Sequence, residues 1–366
     1  MAPSCMRVAI AAFVVMLAVI PSRGEVQGET SAPFYKGKRL NLLINFAAGG
    51  PADIEGRLVA KHLAKHIDGA PGIIVQNKDG AGGLIGTNYL GELGPRDGTM
   101  AGYLTAAAWH HVIEPGTFRV PFDHYEFVAY QAANVVYYMR ADTPPGMKSA
   151  ADIMRAKDLV TGGLAADSSK DILIRLTLDM LGVPYKYVTG FRSSAPARLA
   201  LQRGEISFFS ESSPSYFGVV EPSLVKTGQV IPVWYDPIYD GRTFAPFKQM
   251  DDQQVASFPE FYRKLKRPLP SGRLWDVYRT NLAVDSAMLR TVVLPPGVPQ
   301  AAVAALRKAF ERLNSDKEFA EDAIKSIQFA PQFVTGGDLN AQVRRMLVVD
   351  PAIRTFVADY IKNPPR

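Results

Sequence analysis

The chain has 366 residues, 47% of them hydrophobic and 21% charged, with a formal net charge of +6. These are globular proportions, enough for two ordinary cores, and they exclude a disordered or fibrous chain. The basic excess is mild and unclustered, which excludes the basic stripe that nucleic-acid binding needs and favours small acidic partners.

Residues 1–24 read as a secretory signal peptide. Arg7 supplies a positive start, Val8 to Ile20 an uncharged apolar run, Pro21 a break, and Ser22-Arg23-Gly24 small residues at a cleavage spacing. The run is shorter than the about 20 residues that cross a bilayer. Cleavage after Gly24 removes Arg7 and Arg23 and no acid, leaving a charge of +4. The one cysteine, Cys5, precedes the apolar run, whereas a lipid-anchor cysteine would follow it. The mature chain then has no thiol for a disulfide, a nucleophile or a metal.

Residues 25–36 read as a lead-in. Leu40, Leu42, Leu43, Ile44 and Phe46 predict a buried strand over 40–46. Gly49-Gly50-Pro51 breaks it, and a helix follows over 52–67. A strand over 73–77, a glycine turn at Gly80–Gly83 opening a helix to about Leu93, and a strand over 99–104 complete a β-α-β-α-β order. That order implies parallel strands with helices on the faces. The span 126–140 is strand-like. A second alternating set follows: helix 149–157, strand 158–161, loop 162–167, helix 168–181, strand 185–189, helix 194–203, strand 205–209 and strand 229–234. The stretch 282–294 contains a strand. From Pro299 a helix carries Val303, Leu306, Phe310 and Leu313 on one stripe. Residues 130–250 thus read as an α/β lobe inserted into another made of 25–129 and 251–366. The crossings near 126–140 and 235–255 form the hinge.

A strand feeding a helix through small residues leaves free N–H groups at the positive end of the helix dipole, a site for an anion. Gly49-Gly50 provides one such turn, and Gly162-Gly163 through Ser169 provides its counterpart in the second lobe. Facing each other, the two would grip the ends of a small acid. Asp53 admits two readings, a helix-start carboxylate or an acceptor at the pocket edge. Asp167, Ser168 and Ser169 are candidate caps, and both serines are candidate donors to a bound carboxylate. Tyr35, Phe191 and Tyr216 are aromatics in or near candidate loops. His62 and His66 share a helix face at metal-pair spacing, but no third ligand accompanies them. His110 and His111 follow a strand end at the cleft rim. The turns match neither a dinucleotide fingerprint nor a P-loop, and no nucleophile elbow occurs.

The runs FYKGKRLNLLINFAAGGPADIEGRLVAKHLAKHI, IIVQNKDGAGGLIGTNYL and GPRDGTMAGYL resemble the extracytoplasmic solute receptors of tripartite tricarboxylate transporters, the Bug or TctC family. Later stretches agree, YKYVTGFRSSAPARLALQRGEISFF and VLPPGVPQAAVAALRKAFERLNSDKEFAEDA among them. The resemblance implies a two-lobed periplasmic-binding-protein fold of the Venus-flytrap type. Each lobe would be a mostly parallel sheet flanked by helices. It further implies a monomeric, non-enzymatic periplasmic receptor, free of cofactor and metal, that delivers a small carboxylate to membrane permease subunits. A sensory receptor or a secreted α/β hydrolase are the other readings of such a chain. By position, the family's first ligand loop maps to Phe46, Ala47, Ala48, Gly49, Gly50 and Asp53. The second maps to Gly163, Ala165, Asp167, Ser168 and Ser169, with Phe191 beside it. The chain departs from the family pattern at Pro51, which removes an N–H donor, and at Asp167, where relatives carry a small residue.

Overall fold

The computed structural model describes residues 32–328 and 330–363. The signal-peptide reading and Cys5 lie outside them. In chain order come β1 (Arg39–Ile44), α1 (Pro51–Leu63), β2 (Gly72–Asn77), α2 (Leu84–Leu93), β3 (Met100–Leu104) and α3 (Ala107–Ile113). Pro51 opens α1 at the first helical position, where its fixed φ suits the helix and its missing N–H costs nothing. The strand-like span 126–140 is two strands, β4 (Glu126–Gln131) and β5 (Val135–Arg140). Then follow β6 (Val160–Gly162), α4 (Ser169–Leu181), β7 (Lys186–Val188), α5 (Ser194–Gln202), β8 (Phe208–Ser212) and β9 (Val230–Asp236). A small hairpin, β10 (Ile238–Tyr239) and β11 (Phe244–Ala245), precedes helices at Phe258–Lys266 and Arg273–Asn281. Strand β12 (Arg290–Leu294) and helices at Gln300–Asn314, Lys317–Ile327, Leu339–Met346 and Pro351–Lys362 complete the order.

Two five-stranded sheets organise the two lobes. One has the order β2-β1-β3-β12-β4, the other β7-β6-β8-β5-β9. Both are mixed where mostly parallel sheets were expected. In the first, β1 pairs in parallel with β2 and β3, while β12 runs antiparallel to β3 and β4. In the second, β6 is parallel to β7 and β8, while β5 is antiparallel to β8 and β9. The physical reason is connectivity. Strands linked by a crossover helix must run parallel, whereas β5 and β12 are each entered from elements outside their own sheet and are free of that constraint.

The stripe on the helix Gln300–Asn314 lies where its period places it. Val303, Leu306, Phe310 and Leu313 are buried with Leu40, Leu42, Ile44, Val59 and Leu63 against the first sheet. A second cluster runs through the other sheet and includes Tyr137, Phe208, Trp234 and Phe258, whose rings stack or meet at a tilt. Three local expectations shift. The helix expected at 149–157 is a 3-10 turn, Ala150–Arg155, set by a Ser149–Asp152 capping box. Strand β8 starts three residues late, because Gly204 takes a left-handed turn at φ +79. Leu282–Ser286 is a wide helical turn, so the strand expected within 282–294 begins only at Arg290.

Asp236, at the end of β9, is enclosed by this aromatic cluster and accepts hydrogen bonds from the Tyr137 and Tyr278 hydroxyls. Burial pushes its carboxyl up to about 7. The folded chain therefore keeps a proton there that the unfolded chain releases near its ordinary pKa of about 4. The stabilisation from this group is complete below that pH and is lost as pH rises towards about 7. Comparison of Asp236→Asn with the parent by urea unfolding between those two values is expected to show the parent losing stability relative to the variant as pH rises.

Candidate ligand-binding site

The loops that follow β1, β3, β6 and β8 open towards one cavity between the sheets. This is the position that open α/β sheets offer for ligands, beyond the carboxyl ends of their parallel strands. The cavity holds about 710 Å³ of empty space, its mouth included. Phe46, Gly50, Pro51, Ala52, Thr105 and Ala106 line one side, with Asp285, Ser286, Leu289 and Arg290 from the segment entering β12. Val135, Leu164, Ser168, Ser169, Lys170, Leu173, Ser193, Ser194 and Ser212 line the other.

The turn after β1 is held by its own carboxylate. Asp53 Oδ2 accepts the Gly49 N–H at 2.9 Å, and Oδ1 accepts from Arg57 Nε at 2.8 Å and Asn77 Nδ2 at 2.9 Å. Gly49 sits at φ +76, which favours glycine. Asn45 ties this turn to its neighbours. Its Nδ2 donates to the Thr105 carbonyl at 2.9 Å and the Gly83 carbonyl at 3.2 Å, and its Oδ1 accepts the Thr105 N–H at 3.0 Å. The second glycine turn thus serves the walls of the site and is not itself on the cavity.

The loop after β6 repeats the device. Asp171 is fully buried and accepts the Leu164 N–H at 3.0 Å and the Tyr187 hydroxyl. Gly163 leaves it room, since a Cβ there would fall 1.8 Å from Asp171 Oδ2. Ser168 caps α4, its Oγ accepting the Asp171 N–H at 3.3 Å. Ser169 Oγ donates to Asn281 Oδ1 at 3.0 Å.

Of the residues assigned to ligand contact from sequence, Phe46, Gly50, Ser168 and Ser169 meet on the cavity wall. Ala47, Ala48 and Gly49 stay within the first turn, and Asp53 turns back into it. Gly163 faces Asp171, and Phe191 packs over Gly162. Ala165 faces Gly82 of the other lobe across the rim. Asp167 is also at the rim, its carbonyl accepting from Trp109 Nε1 at 3.1 Å and its carboxylate 4.0 Å from His110 Nδ1. Tyr35 is a core residue whose hydroxyl donates to the Gly98 carbonyl, and Tyr216 is likewise buried. His62 bonds Asp322 of the helix Lys317–Ile327, and His66 bonds Asp316, the N-cap of that helix.

Sequence reasoning missed the charged groups of the cavity. Lys170 directs its ammonium to Ser194 Oγ at 2.9 Å and the Ser210 carbonyl at 3.1 Å, over the Phe209 ring. No carboxylate forms an ion pair with it among the described residues. Burial pulls its pKa down to about 8, against the pull of Glu211 and Asp171, so it is mostly charged at neutral pH. Arg290 is 1% exposed and donates from Nε to Glu55 Oε2 at 2.8 Å, from Nη1 to Thr105 Oγ1 at 3.0 Å, and from Nη2 to Ser212 Oγ at 3.3 Å. Glu55 is also fully buried, and Gln131 donates to its other oxygen. Ser193-Ser194 before Pro196 was a readable helix start; Arg290, Asp285 and Ser212 carry no local signal.

Replacing Arg290 by Met leaves Glu55 buried without its guanidinium partner, with the Gln131 amide still donating to it. Loss of one partner of a buried pair costs about 3–5 kcal/mol. Arg290→Met is therefore expected to lower the unfolding free energy by that order, measured by chemical denaturation.

No protein-family model matches the chain. Among curated proteins it is 26% identical over 163 residues to a UPF0065 protein of the TAR-I ttuE-ttuC' intergenic region of Agrobacterium vitis, covering 42% of this chain. The match spans 46%, about half, of that relative's length. Among solved structures, the periplasmic binding protein BugD superposes with a TM-score of 0.65 at 17% identity, covering 90% of this chain and 98% of BugD. MatC from Rhodopseudomonas palustris, solved with bound malate, gives 0.61 at 17% identity over 87% and 99% of the two chains. A second R. palustris protein, solved with adipate, gives 0.61 at 20% identity over 89% and 97%. The chain thus has the two-lobed periplasmic-binding-protein fold that BugD and MatC share.

Proposed function

We propose that this chain is a periplasmic receptor of the Bug or TctC kind, which captures a small organic acid between its lobes and delivers it to a tripartite tricarboxylate-type permease. The observation that carries the reading is Lys170. It places an ammonium without a carboxylate partner on the wall of the interlobe cavity. An ammonium has three donors, of which two are used here, and the third is available to a ligand carboxylate. The malate and adipate of two structures with this fold, and the motif resemblance over most of the chain, support an acid as the ligand. The signal-peptide reading supports the periplasm, and the family resemblance supports the permease partner.

The lobes in this reading are 25–129 with 251–366, and 130–250; of the returning segment, the helices Phe258–Lys266 and Arg273–Asn281 pack against the second sheet. The hinge lies near 126–140 and 235–255. Strands β4 and β5 support it, because they fall in different sheets with only Ala132, Ala133 and Asn134 between them. Closure about these crossings would bring the two walls onto the acid, which is held and released unchanged.

A thermal-shift screen of small organic acids tests the reading. Several acids are expected to raise the melting temperature; a flat response to every acid, with amines or sugars shifting the melt instead, overturns it. Lys170→Met is expected to weaken acid binding about tenfold or more, since a charge-assisted hydrogen bond is worth about 1.5–3 kcal/mol. Removing a charge that has no ion-pair partner should leave the ligand-free protein no less stable. In the parent, acid affinity should fall as pH rises through about 8, where Lys170 gives up its proton. Isothermal titration between pH 7 and 9 should show that slope in the parent and its loss in Lys170→Met.

A further inference from the structure

The cavity holds a second unmatched charge. Asp285 lines it from the wide turn Leu282–Ser286, is 2% exposed, and its Oδ1 has no hydrogen-bond partner. The groups that face this carboxylate are the Ser169 hydroxyl, the Trp109 amide, His110 and Arg290. Arg290 spends its guanidinium on Glu55, Thr105 and Ser212 instead. Among the described residues Asp285 forms no ion pair, with Lys170 or with any other cation. One wall of the cavity thus presents an ammonium without a carboxylate, and another presents a carboxylate without a cation.

Burying either charge alone is costly, and the protein leaves both costs standing. A ligand that brings only carboxylates satisfies Lys170 and meets like charge at Asp285. A hydroxyl donates to Asp285 but leaves its charge in place. A protonated amine supplies both a donor and the opposite charge. We propose that the ligand is an acid carrying a protonated amine, such as an amino acid, with its carboxylate on Lys170 and its ammonium on Asp285 Oδ1. The assignment rests on the acid-receptor reading above and specifies the ligand within it. Burial raises the Asp285 carboxyl to about 6 and lowers Lys170 to about 8, so near pH 7 the two groups carry opposite charges and match a zwitterion.

The test uses sets of acids with a common carbon skeleton, each with a plain, a hydroxy and an amino member. Suitable sets are succinate, malate and aspartate; glutarate, 2-hydroxyglutarate and glutamate; and propionate, lactate and alanine. Binding to the mature chain is measured by isothermal titration at pH 7. In the sets that bind, the amino member is expected to bind about tenfold or more tightly than the plain member. Asp285→Asn is expected to erase that preference, with the amino members losing affinity and the plain acids, relieved of like charge, binding at least as tightly as before. If plain or hydroxy members bind as well as the amino members, the assignment fails and the acid-receptor reading stands. The same holds if Asp285→Asn keeps the preference. If no acid of any kind binds, both fail. The comparison within the parent protein decides the point even where the variant does not fold.

Discussion

The buried pair of Glu55 and Arg290 is the interaction on which the rest of the site depends. Glu55 sits in the second turn of α1 and Arg290 at the first residue of β12, 235 positions apart in the chain. Neither is accessible to water, so each must be matched inside the protein. The match fixes α1 against the centre of the first sheet. It also leaves the guanidinium one edge for Thr105 after β3 and another for Ser212 at the end of β8. One cation therefore sets the relative positions of the helix that opens the cavity, the strand that floors it and the facing lobe. A hydrophobic replacement of both partners would pack as well, since buried pairs gain little net free energy. It would not reach Thr105 and Ser212 together.

The helix starts on the two walls share a device that changes how an anion is held. In each lobe an Asp in the first turn of the helix folds back onto the preceding loop: Asp53 takes the Gly49 N–H, and Asp171 takes the Leu164 N–H. The result is a rigid glycine turn on each wall. The consequence is electrostatic. Both carboxylates sit near the positive ends of their helix dipoles and already complement them, so less of that field is left for a ligand. Free backbone N–H groups alone are then a weak anchor for an acid. Lys170, one residue before Asp171 on the same helix turn, restores a positive centre at the place where the dipole has been cancelled.

The sequence carried the parts of this arrangement that are local. Apolar runs of strand length, glycine turns and one apolar stripe located β1, β2, β3 and the helix Gln300–Asn314 within a residue or two. Ser168 was one of three candidate caps and a helix-start role one of two readings of Asp53; the direction in which Asp53 turns is set by Asn77 and Arg57 and is not visible in a linear pattern. Another signal was present and unread: Ser257 and Glu260 form a capping box around Pro259, the signature of the helix Phe258–Lys266. The charged groups of the cavity were invisible for a different reason. Arg290 and Asp285 lie in or beside irregular backbone, and their meaning comes only from partners far along the chain. A lysine at the third position of S-S-K-D gives no sign of burial until the fold brings Ser194 and Phe209 against it.

The same contacts indicate what an opening motion would cost. Within the first lobe, Glu55–Arg290 and Gly49–Asp53 join elements of one sheet and its helix. Within the second, Leu164–Asp171 and Lys170–Ser194 do the same. All of these survive a rotation of one sheet relative to the other. What such a rotation breaks around the cavity is Arg290 to Ser212 at its floor, at 3.3 Å, and at its rim Trp109 to the Asp167 carbonyl and the 4.0 Å contact of His110 with the Asp167 carboxylate. The two hydrogen bonds end on neutral acceptors that water replaces readily, each with a net value of about 1 kcal/mol, and the Asp167 carboxylate is partly exposed to water. The buried pair Glu55–Arg290 thus lies within one lobe, and the contacts around the cavity that join the lobes are weaker. That division lets the walls part without uncovering a buried charge pair. On the proposed reading, the balance between open and closed is then left to the ligand held by Lys170 and Asp285.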